Sequence, residues 1–244
     1  MVDGRRILIY GAAGGIGSAL CRMLSHQGAQ LHLVGRTESK LASLARELGA
    51  TYTVGDVTDE ALFTRVAQEA GRPLDGLVYA VGTITIRSLF RLTEADFLND
   101  FRINALGAAL AIQAALPALK ESAGVASVVL FSSVAASQGF ANHASIGMAK
   151  GAVSALTLAL AAELAPKVRV NAIAPSLTRT PLGESLLGSE QMAASIAALH
   201  ALQRLGEAKD IASLAAFLLS PQADWITGQI IGVDGGRSTL RTKG

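Results

Sequence analysis

Three groups of residues in this chain have the type and spacing to do chemistry. Gly11-Ala12-Ala13-Gly14-Gly15-Ile16-Gly17 follows a short apolar run, Ile7-Leu8-Ile9-Tyr10, and opens a stretch of helical spacing. Glycines at such a strand-to-helix turn allow a tight bend and a close approach of backbone to a pyrophosphate. The helix start adds N–H groups and the positive end of its dipole. The second group ends the next apolar run, Val34-Gly35-Arg36-Thr37, with no carboxylate where a dinucleotide site grips a ribose 2′-OH. Arg36 has the planar fork that stacks on adenine and pairs with a 2′-phosphate. NADP(H) is therefore expected over NAD(H), with Gly11, Gly15, Ile16, Gly17, Arg36 and Thr37 around it. The third is His143, three residues before Ile146 in the approach to a helical segment carrying Lys150. An imidazole titrates near neutral pH and could protonate a substrate oxygen within its reach. His26, His32 and His200 read as helix, strand and lid residues, and no His/Asp/Glu cluster has ligand spacing, so no metal is expected.

The elements that must position these groups are legible as an alternation. Ile7–Tyr10, Leu31–Val34, Thr51–Val54, Leu77–Val81, Val125–Phe131, Val168–Ile173 and Ile230–Val233 read as strands. Helical spacing marks Gly15–Gln27, Glu38–Leu48, Thr93–Glu121, Ala144–Ala165 and Asp210–Leu219. Strands that are almost wholly apolar, alternating with helices, imply a parallel sheet covered on both faces. The expected fold is α/β: one domain over 1–244, with a doubly wound, seven-stranded Rossmann-type sheet. Ser176–Leu205 breaks the alternation and falls after a strand's carboxyl end. It is expected to form a substrate lid, at about 176–205.

Composition narrows the classes. A chain of 244 residues, 50% hydrophobic, suits one core, since single cores stop growing near ~250–300 residues. Lys+Arg 21 against Asp+Glu 19 is too balanced for a nucleic-acid footprint. The lone Cys21 excludes an intrachain disulfide framework. No signal peptide is visible, and no uninterrupted apolar stretch reaches the ~18–20 residues of a membrane helix, so a cytoplasmic protein without membrane partners is expected.

The spacing Gly11-x3-Gly15-x-Gly17 resembles that of the short-chain dehydrogenase/reductase family, and the resemblance extends over nearly the whole chain. Gly55-Asp56-Val57 is similar to the family's adenine-contacting turn, Asn104 to its helix asparagine, and Phe131-Ser132-Ser133 to its catalytic strand end. Asn171-Ala172-Ile173-Ala174-Pro175, with Thr178 and Thr180, resembles the segment flanking the nicotinamide; Ser176 stands where the family has glycine. Trp225-Ile226-Thr227-Gly228-Gln229 and Val233-Asp234-Gly235-Gly236 resemble its C-terminal signature. The resemblance implies cofactor contacts at Asp56, Val57, Gly82, Lys150, Pro175, Thr178 and Thr180, and catalytic roles for Ser133, Lys150 and Asn104. It also implies assembly as a homotetramer or homodimer through the long helices.

Three positions depart from the family pattern. Tyr10 replaces a threonine, and Tyr79-Ala80-Val81-Gly82 replaces Asn-Asn-Ala-Gly; the two tyrosines are expected to pack together. The third departure bears on chemistry. The family's proton-transfer tyrosine lies thirteen residues after the serine and four before the lysine, and both spacings land on Ile146. An isoleucine transfers no proton, and general acid–base help is worth ~10²–10⁴ in rate. His143 is the candidate substitute; Ser145 has no evident base and points about 100° away on a helix.

The expected function is an NADP(H)-dependent oxidoreductase acting on a small uncharged carbonyl or alcohol with non-standard proton donation. Phe140, Ile146, Leu182 and Leu186 would wall the substrate pocket. The alternatives are a catalytically weak NADP(H)-binding regulatory or partner protein, and an enzyme reducing an activated C=C bond.

Overall fold

The computed structural model describes residues 2–241. β1 (Arg6–Tyr10), α1 (Gly15–His26), β2 (Gln30–Gly35), α2 (Glu38–Leu48), β3 (Thr51–Val54) and α3 (Glu60–Glu69) wind towards one edge. The chain then returns to the centre as β4 (Gly76–Tyr79). It continues through α4 (Glu94–Phe101), α5 (Gly107–Lys120), β5 (Ala126–Phe131), α6 (Ala144–Leu164) and β6 (Val168–Pro175). After the short β7 (Thr178–Arg179), α7 (Pro181–Glu184), α8 (Glu190–Ala197) and β8 (Gly206–Glu207) come α9 (Ala208–Leu219) and β9 (Ile230–Val233). The main sheet has seven strands in the order β3-β2-β1-β4-β5-β6-β9, all parallel. The order reverses between β1 and β4, and the crevice outside their carboxyl ends is where such sheets bind ligands.

Period-2 alternation divides the apolar strands between two cores. Leu8, Tyr10, Leu77, Tyr79, Val128 and Leu130 face a cluster shared with α3, α5 and α6. Ile7, Ile9, Val78, Val129 and Phe131 face a second cluster, shared with α1, α2 and α9. Both faces are buried, which is why these strands read as apolar runs rather than as alternations.

The structure adds to the sequence reading at three places. α3 went unassigned, although Asp59 caps it, accepting the Ala61 N–H at 3.0 Å, and Leu62, Phe63 and Val66 fill its buried face. The helix expected over Thr93–Glu121 is one long rod with a π-turn at Arg102–Leu106 between α4 and α5. By length and mean composition, Glu94–Lys120 and Ala144–Leu164 are apolar enough to cross a membrane, which counting uninterrupted runs did not reveal. Both pack against the sheet, each with one face in the first core.

Candidate active site

Backbone geometry dominates the end of the crevice nearest α1. Gly11 adopts φ +77°, and a Cβ there would stand 2.6 Å from the Ala80 carbonyl oxygen beyond β4. A Cβ on Gly17 would collide with the Gly11 carbonyl, so the glycine lets α1 leave the strand at once. Gly14, the N-cap of α1, brings no capping side chain, which leaves the first-turn N–H groups available to an anion. Ile16 packs against the second core and anchors the turn. From across the crevice the β7–α7 junction approaches Gly15, where a Cβ would lie 2.7 Å from Thr180 Cβ and 3.3 Å from Pro181 Cδ. Thr180 Oγ1 accepts the Gly183 N–H at 3.0 Å and so caps α7. Thr178 is buried in the β7–β8 ribbon and donates to the Ser176 carbonyl at 2.9 Å; Pro175 ends β6.

Arg36, beyond β2, is largely exposed, and its Nη1 lies 3.6 Å from Asp56 Oδ2. Asp56 accepts the Thr58 N–H at 2.9 Å and the Thr58 hydroxyl at 2.8 Å. Those bonds, with the guanidinium beside them, hold its carboxyl below the usual carboxylate range. Thr37 is the N-cap of α2, and its hydroxyl makes no capping bond. Val57 is buried in the first core, so only its backbone is left for a ligand.

The other end is built from side chains. Lys150, on α6, runs half-buried and donates from Nζ to the Phe131 carbonyl at 2.8 Å. Burial pulls its ammonium down to about 8, against the opposing charge of Asp100. Asn104 lies in the π-turn, where Nδ2 donates to the Asp100 carbonyl (2.9 Å), to Thr83 Oγ1 (3.1 Å) and to the Thr83 carbonyl (3.3 Å). Its buried Oδ1 has no partner among the described residues. A Cβ on Gly82 would stand 2.9 Å from that Oδ1 and 3.6 Å from Lys150 Nζ, so both look into the space in front of this glycine. An orphaned acceptor, an ammonium and a glycine cradle together fit a polar ligand such as a nucleotide ribose.

Ser133 lies two residues beyond β5, and its Oγ accepts only the Ala135 N–H, at 3.1 Å, among the described residues. Ser132 points the other way, bonding the Lys150 carbonyl (3.1 Å) and Ser154 (2.8 Å), and so pins α6 to the strand. His143 is the N-cap of α6. Its Nδ1 lies 2.7 Å from the Ala141 carbonyl and its ring 5.4 Å from that of Phe140. The carbonyl acceptor assigns the proton to Nδ1 and leaves Nε2 with its lone pair. Among the described residues His143 makes no hydrogen bond to Asn104, Ser133 or Lys150.

Ile146 is 2% exposed, and Leu182 is exposed, so the apolar wall expected of them is uneven. Arg237 adds a cation that went unforeseen, its guanidinium carbon 5.3 Å from the Phe140 ring centre. Ser145 does point away, as helix geometry requires. Contrary to the sequence reading, it has a base: Oγ donates to Asp100 Oδ2 at 2.6 Å. Asp100 was the residue missed: α4 also carries Glu94 and Asp96, and nothing in the sequence marks Asp100, four residues before Asn104, as the acid that is buried.

The two tyrosines stack as expected, with ring centres 5.7 Å apart. Tyr79 donates to the Ile103 carbonyl of the π-turn at 2.8 Å, and Gly107 makes room, since a Cβ there would strike the Tyr79 hydroxyl. The Tyr10 hydroxyl is buried without a partner among the described residues.

Sheet order, switch point and glycine turn define a doubly wound α/β protein of the Rossmann type. Residues 11–238 match the family model described as enoyl-(acyl carrier protein) reductase. The chain is 36% identical over 245 residues to a tropinone reductase homologue of Arabidopsis thaliana, covering 96% of this chain and 80% of that one. It is 32% identical over 236 residues to L-xylulose reductase of Bos taurus, covering 96% of each. A solved short-chain type dehydrogenase/reductase from Mycobacterium ulcerans aligns with a TM-score of 0.91 at 32% identity, over 98% of this chain and 91% of that one. The chain belongs to the short-chain dehydrogenase/reductase family, oxidoreductases that generally bind NAD(P)(H) and act on alcohols and carbonyls.

Proposed function

We propose that this protein is an NADP(H)-dependent oxidoreductase that moves a hydride to or from a small uncharged carbonyl or alcohol, with proton donation that bypasses position 146. The observation that carries the cofactor preference is Arg36. Its exposed guanidinium stands where β2 ends without a carboxylate, and its partner Asp56 sits on the adjacent turn. A 2′-phosphate would give Arg36 a charge-assisted, bidentate partner.

On this reading Gly11, Gly15, Ile16 and Gly17 shape the pyrophosphate turn, and Arg36, Thr37, Asp56 and Val57 hold the adenosine end. Gly82, Lys150, Pro175, Thr178 and Thr180 surround the nicotinamide end, and the segment at about 176–205 acts as the lid. NADPH, when bound, supplies the hydride. Ser133 orients the substrate oxygen with its hydroxyl, which is free to donate while Oγ accepts the Ala135 N–H. Lys150 contributes positive charge, and the unpartnered Oδ1 of Asn104 holds a water beside it. Ile146 has no exchangeable proton, so the proton reaches the substrate oxygen from water or from His143 in its doubly protonated form, in which Nε2 also carries a proton while Nδ1 keeps its bond to the Ala141 carbonyl. Relatives named as reductases do not favour the regulatory alternative. An uncharged ketose, as in L-xylulose reductase, is the kind of substrate proposed.

The protein is further proposed to be cytoplasmic and to assemble as a homotetramer or homodimer. Leu98, Phe101, Leu106, Met148 and Leu158 are exposed apolar residues on the long helices, in keeping with pairing there.

Titration of the protein with NADPH and NADH, followed by nicotinamide fluorescence, tests the cofactor reading. NADPH is expected to bind tighter, with Arg36→Ala losing about 10–100-fold for NADPH alone, the worth of a charged hydrogen-bonded contact. Equal affinity for both nucleotides in the wild type would overturn it. With a substrate in hand, unchanged kcat in His143→Ala leaves water as the donor.

A further inference from the structure

We propose that Asp100 is a positioning residue of this site: its carboxylate fixes the Asn104 amide through Thr83 and supplies the counter-charge to the Lys150 ammonium. The proposal deepens the reading above, in which Asn104 and Lys150 serve the cofactor end of the crevice.

Asp100 is 0% exposed, in the last turn of α4 before the π-turn. A carboxylate so placed is costly unless its oxygens are satisfied, and an apolar residue would suit a helix buried against α6 better. No Lys, Arg or His forms an ion pair with it among the described residues. Three hydroxyls satisfy it instead: Thr83 (2.9 Å) and Thr85 (3.2 Å) donate to Oδ1, and Ser145 (2.6 Å) donates to Oδ2. These donors come from the loop after β4 and from the first turn of α6, the two segments that carry Gly82 and Lys150.

The hydrogen-bond directions are forced. Thr83 has one hydroxyl proton, and it goes to Asp100, so Thr83 Oγ1 can only accept from Asn104 Nδ2. The Asp100 carbonyl takes the other bond from the same nitrogen. With both amide protons used, Asn104 cannot flip. Its Oδ1 must face the space that it shares with Lys150 Nζ in front of Gly82. Asp100 thus sets which end of the amide the crevice presents, at two bonds' remove.

The charge argument is independent of that chain. Around Lys150, β5 offers the Phe131 carbonyl and two serines, the loop after β4 offers Gly82 and Thr83, and the π-turn offers Asn104; none is charged. On α6 itself the other titratable groups are His143, at the N-cap, and Glu163, more than three turns further along the helix. Asp100, from α4, is the charged group that opposes the effect of burial on Lys150. In a desolvated site an opposite charge favours the ionised form, so Asp100 keeps the lysine a cation at neutral pH.

The test uses the cofactor-free full chain labelled with ¹³Cε-lysine, with the Lys150 resonance assigned by its loss in Lys150→Met. Wild-type Lys150 should titrate near 8. In Asp100→Asn, which keeps the shape and can keep Oδ1 facing Thr83 and Thr85 while its Nδ2 donates to Ser145, whose hydroxyl then turns to the Asp96 carbonyl, the midpoint should fall by about one pH unit or more. NADPH affinity should then weaken at a correspondingly lower pH. An unchanged midpoint in Asp100→Asn overturns the proposal. Should that variant fail to fold, the double variant Asp100→Asn/Lys150→Met decides: it folds if the loss was an unbalanced buried ammonium, and its failure also overturns the proposal. Because the lysine is read without nucleotide, a protein that binds no NADP(H) would refute the cofactor reading and leave this measurement intact.

Discussion

At one end of the crevice Gly11, Gly14, Gly15 and Gly17 work through the side chains they lack. At the other, Asn104, Ser133, Lys150 and Asp100 work through the side chains they bring from α4, the π-turn, β5 and α6. The first end is specified by excluded volume: a Cβ on Gly11 meets Ala80 backbone, and one on Gly15 meets Thr180. At Gly11 and Gly17, where a Cβ would strike backbone, it tolerates no substitution, whatever the chemistry of the newcomer. The second end is specified by pairing. Asp100 and Asn104 are buried and Ser133 and Lys150 half-buried, so the worth of each polar group depends on whether its partner remains. A steric site therefore fails wholly at a single residue, whereas a paired site fails in steps that depend on pH and can be rescued by removing the partner too.

The largest expected effect lies at the steric end. Gly11→Ala must hold alanine at φ +77° against the Ala80 carbonyl. NADPH binding should weaken by at least about 100-fold, and chemical denaturation should show a loss of roughly 3 kcal/mol. Near-normal binding would break the contrast at its strongest point.

Lys150→Met probes the paired end, and here stability and activity should part. Burial lowers Lys150 from its ordinary 10.5 to about 8. Below about 8 the lysine is protonated in both folded and unfolded chains, and the native state bears the full cost of burying the charge. Between 8 and 10.5 the native state has shed its proton first, so stability rises with pH as that cost fades. The stability of the methionine variant relative to the wild type should accordingly fall by something on the order of 3 kcal/mol between neutral pH and pH 10.5, on top of a pH-independent cost for leaving Asp100 without its counter-charge. Reductase turnover should be lost at every pH. A uniform change in stability across that window would argue against a buried ammonium.

The smallest effects sharpen the border between the two ends, where the tyrosines meet. Tyr79→Phe strands the Ile103 carbonyl and should cost about 1–2 kcal/mol. Tyr10→Phe removes a hydroxyl that has no partner and should be neutral or slightly stabilising. Equal losses would mean that Tyr10 has a polar partner after all.

The seven strands were legible because both faces of the sheet are buried, and apolar runs such as Val128-Val129-Leu130 advertise that directly. The glycine turn and Arg36 were legible because their effects are local, within a few residues of a strand end. α3 escaped notice because only Leu62, Phe63 and Val66 mark its buried face. The π-turn escaped because Ile103 to Leu106 continue the apolar helical spacing without a break. Asp100 was invisible as a site residue, since its partners Thr83, Thr85 and Ser145 lie 15 to 45 residues away along the chain.

What the sequence by itself determined, then, was whatever depends on one residue's conformational freedom or on a period within one element: the parallel sheet, its switch point, the turn that only glycine can make, the absence of an exchangeable proton at Ile146. Tertiary structure alone decided which buried polar groups meet. It turned Ser145 towards Asp100, held the Asn104 amide so that Oδ1 faces Lys150, and left Tyr10 unpaired where Tyr79 is paired. The physical reason is range. Backbone sterics and hydrophobic period act along the chain, whereas a hydrogen bond or a counter-charge acts over a few ångströms between segments that only folding brings together.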